Sequence, residues 1–318
     1  MNNMWKNGIL GVVTGDALGC PVQFETRLEV ASHPITGMRG YGTFHLPSGS
    51  WTDDSSLTLA LLSSIRATGK IDLNHIMGNF VRWLDKGAFT PYGYAYDIGH
   101  GTLWAIKNYK LLPDPLRCGG TDDSNNGNGS LMRILPACLF CCEKQLSDDT
   151  AVEIIHQVGG LTHGHIRAKI ACGLYYFMVR AVIEGSGALE ERLQAGLDRG
   201  FAWYDASPVS QEELAHFARL RSLANFAETP VDDIRSNGYV VSTLEAAVWS
   251  LLNTDSFPSA LLKAVNLGFD TDTVGAVCGG LAGLFYGWEA IPQDWLKTLQ
   301  RLEWIEDLID GKPDAEQA

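Results

Sequence analysis

The sequence predicts an all-α globular protein, because apolar residues recur at helical spacing and strand alternation is almost absent. Of the 318 residues, 46% are hydrophobic and 19% are charged, a balance that allows a large buried core. Runs of Val, Ile and Thr alternating with polar residues, which mark half-buried strands, are nearly missing. No linker separates two halves. We therefore expect one domain over 1–318, with only the tail after Asp310 frayed.

Four segments show the spacing expected of one-sided helices that share a core. A helix predicted over 55–66 carries apolar residues four apart, and the longest pattern begins at Ile166. The other two patterns lie in 241–251 and 295–305. Long Gly- and Pro-rich loops separate the helices, and loops of this length tend to be functional; they cover 32–50, 85–96 and 111–129.

Charge and hydropathy argue against two classes of partner. The net charge is −13 and Lys and Arg do not cluster, so the surface that neutralises phosphates in nucleic-acid binding is missing. The longest apolar stretch, 274–287, is shorter than the ~18 residues that suggest a membrane span and is predicted to be a buried helix. The apolar run at 9–13 is interrupted by glycine and closed by Asp16, unlike a signal peptide. We expect neither a nucleic acid nor a membrane as partner.

The seven cysteines indicate reduced core residues of a cytoplasmic protein, since their number is odd and most lie in apolar helical patterns. Cys138, Cys141 and Cys142 raise the alternative of a zinc site. No second Cys or His pair stands at ligand spacing, and three neighbours on one helix rarely complete a tetrahedral site. The core interpretation is therefore preferred.

Two distant segments carry acidic and hydroxyl side chains at the start of an apolar helix. The first contains Thr52, Asp53 and Asp54, and the second contains Asp270, Asp272 and Thr273. Each segment alone is typical of a helix cap. If the two faced each other, they would supply six oxygen ligands, which suits a pair of hard divalent cations completed by waters. Spacing alone leaves open whether they meet.

Three further segments offer candidate ligand contacts. The loop over 125–133, predicted to enter a helix at Ser130, can cradle phosphate oxygens with its backbone N–H groups, or it is a turn followed by a serine cap. His163, before the longest helix, either donates to phosphate or ribose or faces solvent. Asp97 is either an N-cap or a carboxylate directed into a cleft.

Five motifs then occur in the order typical of one family. They are Gly15-Asp16-Ala17-Leu18-Gly19, Trp51-Thr52-Asp53-Asp54, Gly127-Asn128-Gly129-Ser130-Leu131-Met132-Arg133, Thr162-His163 and Asp270-Thr271-Asp272-Thr273. Together the motifs resemble the ADP-ribosylglycohydrolase family over nearly the whole chain. The resemblance implies a single orthogonal helical domain with two Mg²⁺ or Mn²⁺ ions at its centre. By similarity, the six oxygen-bearing residues of the two acidic segments would be the ligands, with Asp272 as the bridge.

The resemblance also implies the residues that bind and cleave the substrate. The substrate-binding residues would be Gln23, Asn128, Gly129, Ser130, Met132, His163 and Tyr239. The loop Asn128-Gly129-Ser130 and His163 would hold the diphosphate side of ADP-ribose, and Tyr239 would lie against the adenosine. Many relatives place a glutamate where this chain has Gln23, which keeps an oxygen but loses a base. Glu25 or Asp97 would then have to act as the base, alongside the metal-binding Asp53 and Asp54.

The implied activity is hydrolysis of the glycosidic bond between ADP-ribose and a modified side chain, by a water that the cations activate. Arginine is the first expected target, within a modified protein or small molecule. Serine-linked or small-molecule conjugates remain alternatives. So do a non-catalytic protein that binds ADP-ribose or a toxin, and a Mg²⁺-dependent helical phosphohydrolase. The paired glutamates at helical spacing that the phosphohydrolase would need are not seen. Oligomeric state is not predicted.

Overall fold

The computed structural model describes residues 3–208 and 211–312, which fold into helices without any β-strand. This confirms the predicted all-α class; of the tail expected to fray, residues 313–318 lie outside the described part. The first eight α-helices are α1 (Met4–Gly19), α2 (Arg27–Ser32), α3 (Asp53–Thr68), α4 (Leu73–Lys86), α5 (His100–Leu111), α6 (Leu135–Glu143), α7 (Asp148–Gly160) and α8 (Ile166–Glu184). The other eight are α9 (Leu189–Ala206), α10 (Gln211–Ala215), α11 (Leu223–Ala227), α12 (Val240–Leu252), α13 (Phe257–Val265), α14 (Thr271–Tyr286), α15 (Gln293–Thr298) and α16 (Leu302–Ile309).

The central helices α1 and α14 pack backbone against backbone. A Cβ atom at Gly15 would lie 2.0 Å from the carbonyl oxygen of Gly275, and one at Gly11 would lie 2.1 Å from that of Gly279. Only glycine permits such an approach. Since residue 11 meets 279 and residue 15 meets 275, the two helices are antiparallel. The C-terminal end of α1 therefore lies beside the first turn of α14.

Other helices enclose this central pair. Helices α3, α6, α8, α12 and α13 pack against it, while α4 lies outside α3 and both α7 and α9 lie outside α8. The buried apolar side chains form one continuous core. The expectation that the periodic helices are one-sided is wrong for the inner ones, because α3 is buried at every residue from Asp53 to Ile65 and α12 at every residue from Val240 to Leu251.

Helix α3 begins at Asp53 and ends at Thr68, two residues beyond the predicted 55–66 at each end. Its serine residues are buried, and their hydroxyl groups form internal hydrogen bonds. The hydroxyl of Ser55 donates to Asp16 Oδ2 over 2.5 Å, and that of Ser56 donates to the carbonyl oxygen of Thr52 over 2.8 Å. Internal hydrogen bonds therefore allow a polar pattern to be buried.

The helical pattern over 295–305 does not form one helix. It is divided between α15 and α16, and Arg301 adopts a left-handed backbone with φ of 56°. The backbone of Gln300 binds a different part of the chain: its N–H donates to Gly49 and its carbonyl oxygen accepts from the indole of Trp51. These tertiary hydrogen bonds interrupt a pattern whose local spacing is helical.

All seven cysteines are free and buried, as predicted. Burial raises the pKa of the Cys141 and Cys142 thiols to about 12 and that of Cys138 well above its usual value. The thiolate that zinc requires is therefore disfavoured at all three. Among the described residues, no helix has both the length and the apolar character needed to cross a membrane.

Candidate active site

The packing of α1 against α14 brings the two acidic segments together through Asp16. This buried carboxylate, near the end of α1, accepts hydrogen bonds from the backbone N–H of Thr52 at 3.0 Å and from that of Ser55 at 2.9 Å. It thus caps the start of α3. Burial raises the Asp16 pKa to about 6 even though these hydrogen bonds oppose the shift. Asp16 belongs to a quoted motif, yet sequence reasoning gave it no role.

Thr52 and Thr273 connect the acidic segments. The Thr52 hydroxyl lies 3.2 Å from Asp54 Oδ2 and 3.2 Å from Asp272 Oδ2. The Thr273 hydroxyl lies 3.4 Å from Asp54 Oδ2 and 3.5 Å from Asp270 Oδ1. Neither Thr52 nor Asp270 caps its helix through its side chain. The helix-cap interpretation is therefore wrong for these two residues.

The carboxylates of this acidic centre, defined as Asp53, Asp54, Asp270 and Asp272, form no ion pair with any Lys or Arg among the described residues. Burial, followed by repulsion from neighbouring acids, raises the pKa of Asp53, Asp54 and Asp272 well above the usual value. Several carboxylates close together in a buried place require a cation or protons to balance them.

Two buried oxygen atoms at this centre are available for a cation. Asp54 Oδ1 and Gln23 Oε1 have no hydrogen-bond partner among the described residues. The Gln23 amide nitrogen donates to Asp270 Oδ1 over 3.4 Å, so the free Oε1 belongs to a side chain already held at the centre. Unpaired carboxylate and amide oxygens are donors that Mg²⁺ and Mn²⁺ accept. The residues present therefore fit divalent cations.

The acidic centre opens into a cavity of about 890 Å³, within the range typical of small-molecule sites. Most of the predicted site residues line it: Gln23, Asp53, Asp97, Asn128, Gly129, Met132, His163, Asp270 and Thr273. The loop over 111–129 contributes to the wall through Gly120, Asp122, Ser124, Asn125 and Gly127. Sequence reasoning also missed Phe24, Thr102 and Trp104 on this wall, because no motif identifies them.

His163 lies against closely packed glycines. A Cβ atom at Gly129 would lie 2.8 Å from His163 Cε1, and one at Gly101 would lie 2.8 Å from Nε2. The imidazole Nδ1 is 2.8 Å from the Thr162 hydroxyl. Burial, with a smaller effect of Arg133, lowers the His163 pKa to about 3. The ring is therefore neutral at physiological pH and can act as a hydrogen-bond donor or acceptor.

The loop over 125–133 does not enter a helix at Ser130 as predicted. It forms a 3₁₀ turn over Asn128–Ser130, and α6 begins only at Leu135. Buried Arg133 donates to the carbonyl oxygens of Gly129 and Val158. These hydrogen bonds stabilise the turn conformation of the loop. The Asn128 amide donates to Asp270 Oδ2 over 2.6 Å, so this loop contacts the acidic centre directly.

Six predicted site residues do not line the cavity: Thr52, Asp54 and Asp272 lie at the acidic centre, and Ser130, Glu25 and Tyr239 lie elsewhere. Ser130 is fully buried, with its hydroxyl accepting from the Cys172 thiol at 3.6 Å. Glu25 and Tyr239 are not among the residues that line the cavity. The Tyr239 hydroxyl instead lies 3.4 Å from Arg167 Nη1. The roles expected for Ser130, Glu25 and Tyr239 came from their positions in or near the motifs. Position in a loop does not fix the direction of a side chain, because one or two residues further along the chain the direction can be reversed.

Asp97 lies at the cavity wall in a left-handed conformation with φ of 53°. The N-cap of α5 is Gly99, so Asp97 is the carboxylate directed into a cleft and not a helix cap. Burial raises its pKa, while hydrogen bonding with Gln23 and Asp272 opposes the rise. A raised pKa makes a carboxyl group easier to protonate, which suits a group that transfers protons.

A second cluster of potential ligands lies outside the predicted set. Asp123, His165 and Glu213 bring one ligand atom each within 4.8 Å of one another. Arg167 occupies the same place, 2.7 Å from Glu213 and 3.7 Å from Asp123. The guanidinium of Arg167 is always charged and already balances these acids. We therefore interpret the cluster as an ion-pair network and not as a metal site.

The fold and the cavity define an all-helical protein with buried carboxylates at the base of a ligand-sized cleft. The family model for ADP-ribosylglycohydrolase matches residues 5–317, so the chain belongs to the ADP-ribosylglycohydrolase family. The resemblance drawn from the five motifs is thereby confirmed.

Individual relatives agree with this family. The chain is 31% identical over 308 residues to the ADP-ribosylarginine hydrolase Tri1 of Serratia proteamaculans (strain 568), covering 96% of this chain and 77% of that protein. It is also 31% identical over 292 residues to the ADP-ribosyl-[dinitrogen reductase] glycohydrolase of Rhodospirillum rubrum, covering 91% and 88%. A solved structure titled ADP-ribosylglycohydrolase-related protein complex matches with a TM-score of 0.75 and 31% identity, covering 98% of this chain and 96% of that one.

Proposed function

We propose that this protein hydrolyses the bond between ADP-ribose and a modified arginine, with two divalent cations, Mg²⁺ or Mn²⁺, at the acidic centre. One observation carries the proposal: two segments more than two hundred residues apart join their oxygens at the base of the cavity, as in the 3.2 Å approach of Thr52 to Asp272. The name of the similar Serratia protein, an ADP-ribosylarginine hydrolase, supports arginine as the modified side chain, and that of the Rhodospirillum protein supports a modified protein as the substrate.

The proposed ligands are the oxygens that converge there. The residues that would hold the ions are Thr52, Asp53, Asp54, Asp270, Asp272 and Thr273, and Gln23 Oε1 is a further unpaired oxygen at the same place. When bound, the ions supply positive charge that orients the ribose hydroxyls and makes a water more nucleophilic.

The wall formed by Asn128, Gly129, Met132 and His163 is proposed to hold the diphosphate side of ADP-ribose. Glycine lets the backbone approach a phosphate closely, and a neutral imidazole can donate a hydrogen bond without a charge of its own. Ser130 is fully buried within the same turn and accepts from the Cys172 thiol, so it is proposed to support this wall without touching the ligand. Holding the nucleotide fixes the anomeric carbon against the acidic centre, and such positioning lowers the barrier by several kcal/mol.

Asp97 is proposed to move the proton. Its raised pKa and its place on the cavity wall allow it to exchange a proton with the water or with the departing guanidine. As the water oxygen bonds to the anomeric carbon, the carbon–nitrogen bond breaks and its electron pair stays on the nitrogen. The nitrogen then takes up a proton, and the products are ADP-ribose and arginine. Glu25 is the weaker candidate because it does not line the cavity.

The decisive experiment measures release of ADP-ribose from an arginine-modified protein in the presence of Mg²⁺ or Mn²⁺. A serine-modified peptide and free nucleoside triphosphates serve as parallel substrates. We expect turnover of the arginine-linked substrate and no phosphate release. Binding of ADP-ribose without turnover of any conjugate would instead establish a binding protein, and faster release from serine would change the assigned linkage.

The partner in this proposal is an ADP-ribosylated protein or small molecule. The compartment is proposed to be the cytoplasm, because all seven cysteines are free and buried as expected under reducing conditions.

A further inference from the structure

Two phenylalanines beside the acidic centre have left-handed backbones, a conformation rare for bulky residues. Phe24 has φ of 70° and Phe269 has φ of 63°. Phe269 directly precedes Asp270 of the acidic centre. Phe24 directly follows Gln23, whose amide nitrogen donates to Asp270 over 3.4 Å. A glycine would adopt the same backbone without strain, so the fold maintains two aromatic residues here at a cost in free energy.

Backbone hydrogen bonds hold the two phenylalanines side by side. The N–H of Phe24 donates to the carbonyl oxygen of Phe269 over 2.6 Å, and the N–H of Phe269 donates to that of Glu25 over 2.7 Å. Segments far apart in sequence are thus joined next to the cavity. The position of both side chains is set by rigid backbone and not by packing in the core.

Both rings are open to a ligand. Phe24 is 64% exposed and Phe269 is 44% exposed, so burial of apolar surface does not account for them. Phe24 lines the cavity, where Phe44 meets its ring edge-on with centroids 6.4 Å apart. Phe269 makes no ring contact with any aromatic residue in the described part of the chain. Aromatic surface is therefore available where the acidic centre meets solvent.

The charges at this place select the kind of ligand. Asp97, a carboxylate outside the proposed metal ligands, lines the same cavity as Phe24, so a cationic group in that cavity has an ion-pair partner. A guanidinium is planar and cationic, so it stacks on an aromatic face and pairs with carboxylates at the same time. A serine hydroxyl offers neither interaction.

We propose that Phe24, which lines the cavity and is flanked by Phe269, binds the guanidinium of the modified arginine and so determines the preference for arginine over an uncharged leaving group. This inference rests on the proposed function. The rings contact the leaving group and not the ADP-ribose, so their loss should weaken recognition of one half of the substrate only.

The test compares kcat/KM for an arginine-linked ADP-ribosyl peptide with the inhibition constant of free ADP-ribose. The variants are Phe24→Gly and Phe269→Gly, because glycine removes the ring and tolerates the positive φ. We expect Phe24→Gly to lower kcat/KM about tenfold, the scale of a partly desolvated cation–π contact. Phe269→Gly should lower it less, because Phe269 flanks Phe24 without lining the cavity. The inhibition constant of ADP-ribose should change less than about twofold, and Phe24→Tyr, which retains an aromatic face, should keep most of the activity.

A matched control is Tyr41→Gly. Tyr41 is also left-handed, with φ of 62°, and is 72% exposed, but it does not line the cavity; its loss should leave both constants unchanged. Unchanged kcat/KM in Phe24→Gly would overturn the inference. A parallel weakening of ADP-ribose inhibition would also overturn it, by assigning the rings to the nucleotide half. Failure of the unmodified protein to cleave the arginine linkage would refute the proposed function itself.

Discussion

Two clusters of acids in this protein offer similar ligand atoms but differ in whether a basic side chain neutralises them. The acidic centre gathers buried Asp53, Asp54 and Asp272 with half-buried Asp270, without a basic partner among the described residues, and one buried oxygen of Asp54 has no hydrogen bond. The outer cluster of Asp123, His165 and Glu213 lies nearer the surface and contains Arg167.

The comparison teaches that closeness of ligand atoms is a poor guide to metal binding unless the counter-charge is also considered. The outer cluster is the more compact, but the guanidinium already occupies the position where a cation would be attracted. The acidic centre has the greater electrostatic need, since raised carboxyl pKa values signal uncompensated negative charge. A cation therefore gains more at the centre than at the outer cluster.

The largest expected effect comes from removing carboxylates on both sides of the centre. Asp53→Ala combined with Asp272→Ala should lower ADP-ribose release about a thousandfold or more, because the cations lose ligands from both segments. Circular dichroism should show an unchanged helical content. The matched control, Asp123→Ala with Glu213→Ala, should retain activity within about threefold. Equal losses in the two double variants would remove the distinction between the clusters.

Chelation should have the next largest effect. Treatment with EDTA should abolish turnover and lower the melting temperature, since a cation at a hundred times its dissociation constant stabilises the fold by about 2.7 kcal/mol. Returning Mg²⁺ or Mn²⁺ should restore both properties. The same thermal shift is expected in the outer double variant and none in the central one. A thermal shift that disappears only in the outer double variant would place the metal at the outer cluster and contradict the proposed site.

Arg167→Met tests the built-in cation of the outer cluster. The guanidinium is largely buried and donates to both carboxylate oxygens of Glu213, at 2.7 Å and 3.1 Å. Its loss should reduce the free energy of unfolding by about 2 kcal/mol, the worth of hydrogen bonds between charged groups, while metal stoichiometry stays the same. Denaturant unfolding and metal analysis measure the two quantities. An additional bound metal in this variant would show that charge alone had kept the outer cluster closed to cations.

Asp123→Asn should have the smallest effect. The Asp123 side chain is 85% exposed, so its ion pairs are screened by water and contribute less than about 0.5 kcal/mol. Activity, melting temperature and metal content should match those of the unmodified protein. A measurable loss of bound metal would assign the outer cluster a role that its charge balance argues against.

The sequence predicted much of this arrangement for identifiable reasons. Helical periodicity indicated the fold class, and the two acidic segments were recognised because carboxylates and hydroxyls are concentrated before apolar helices. Ser130, Glu25 and Tyr239 were predicted as site residues, but their side chains do not line the cavity. At these positions the direction of a side chain depends on a local turn, and local turns depend on contacts such as that of Arg133 with Gly129.

By itself, the sequence determined the all-helical class, the family and the identity of the residues at the acidic centre, because these follow from periodicity, residue type and motif order. Tertiary structure alone decided that the two acidic segments meet. The meeting depends on glycines of α1 and α14 that allow two backbones into contact, and on Asp16 binding the start of α3. Close approach between distant segments is a property of three-dimensional packing, and residue spacing along the chain does not encode it directly.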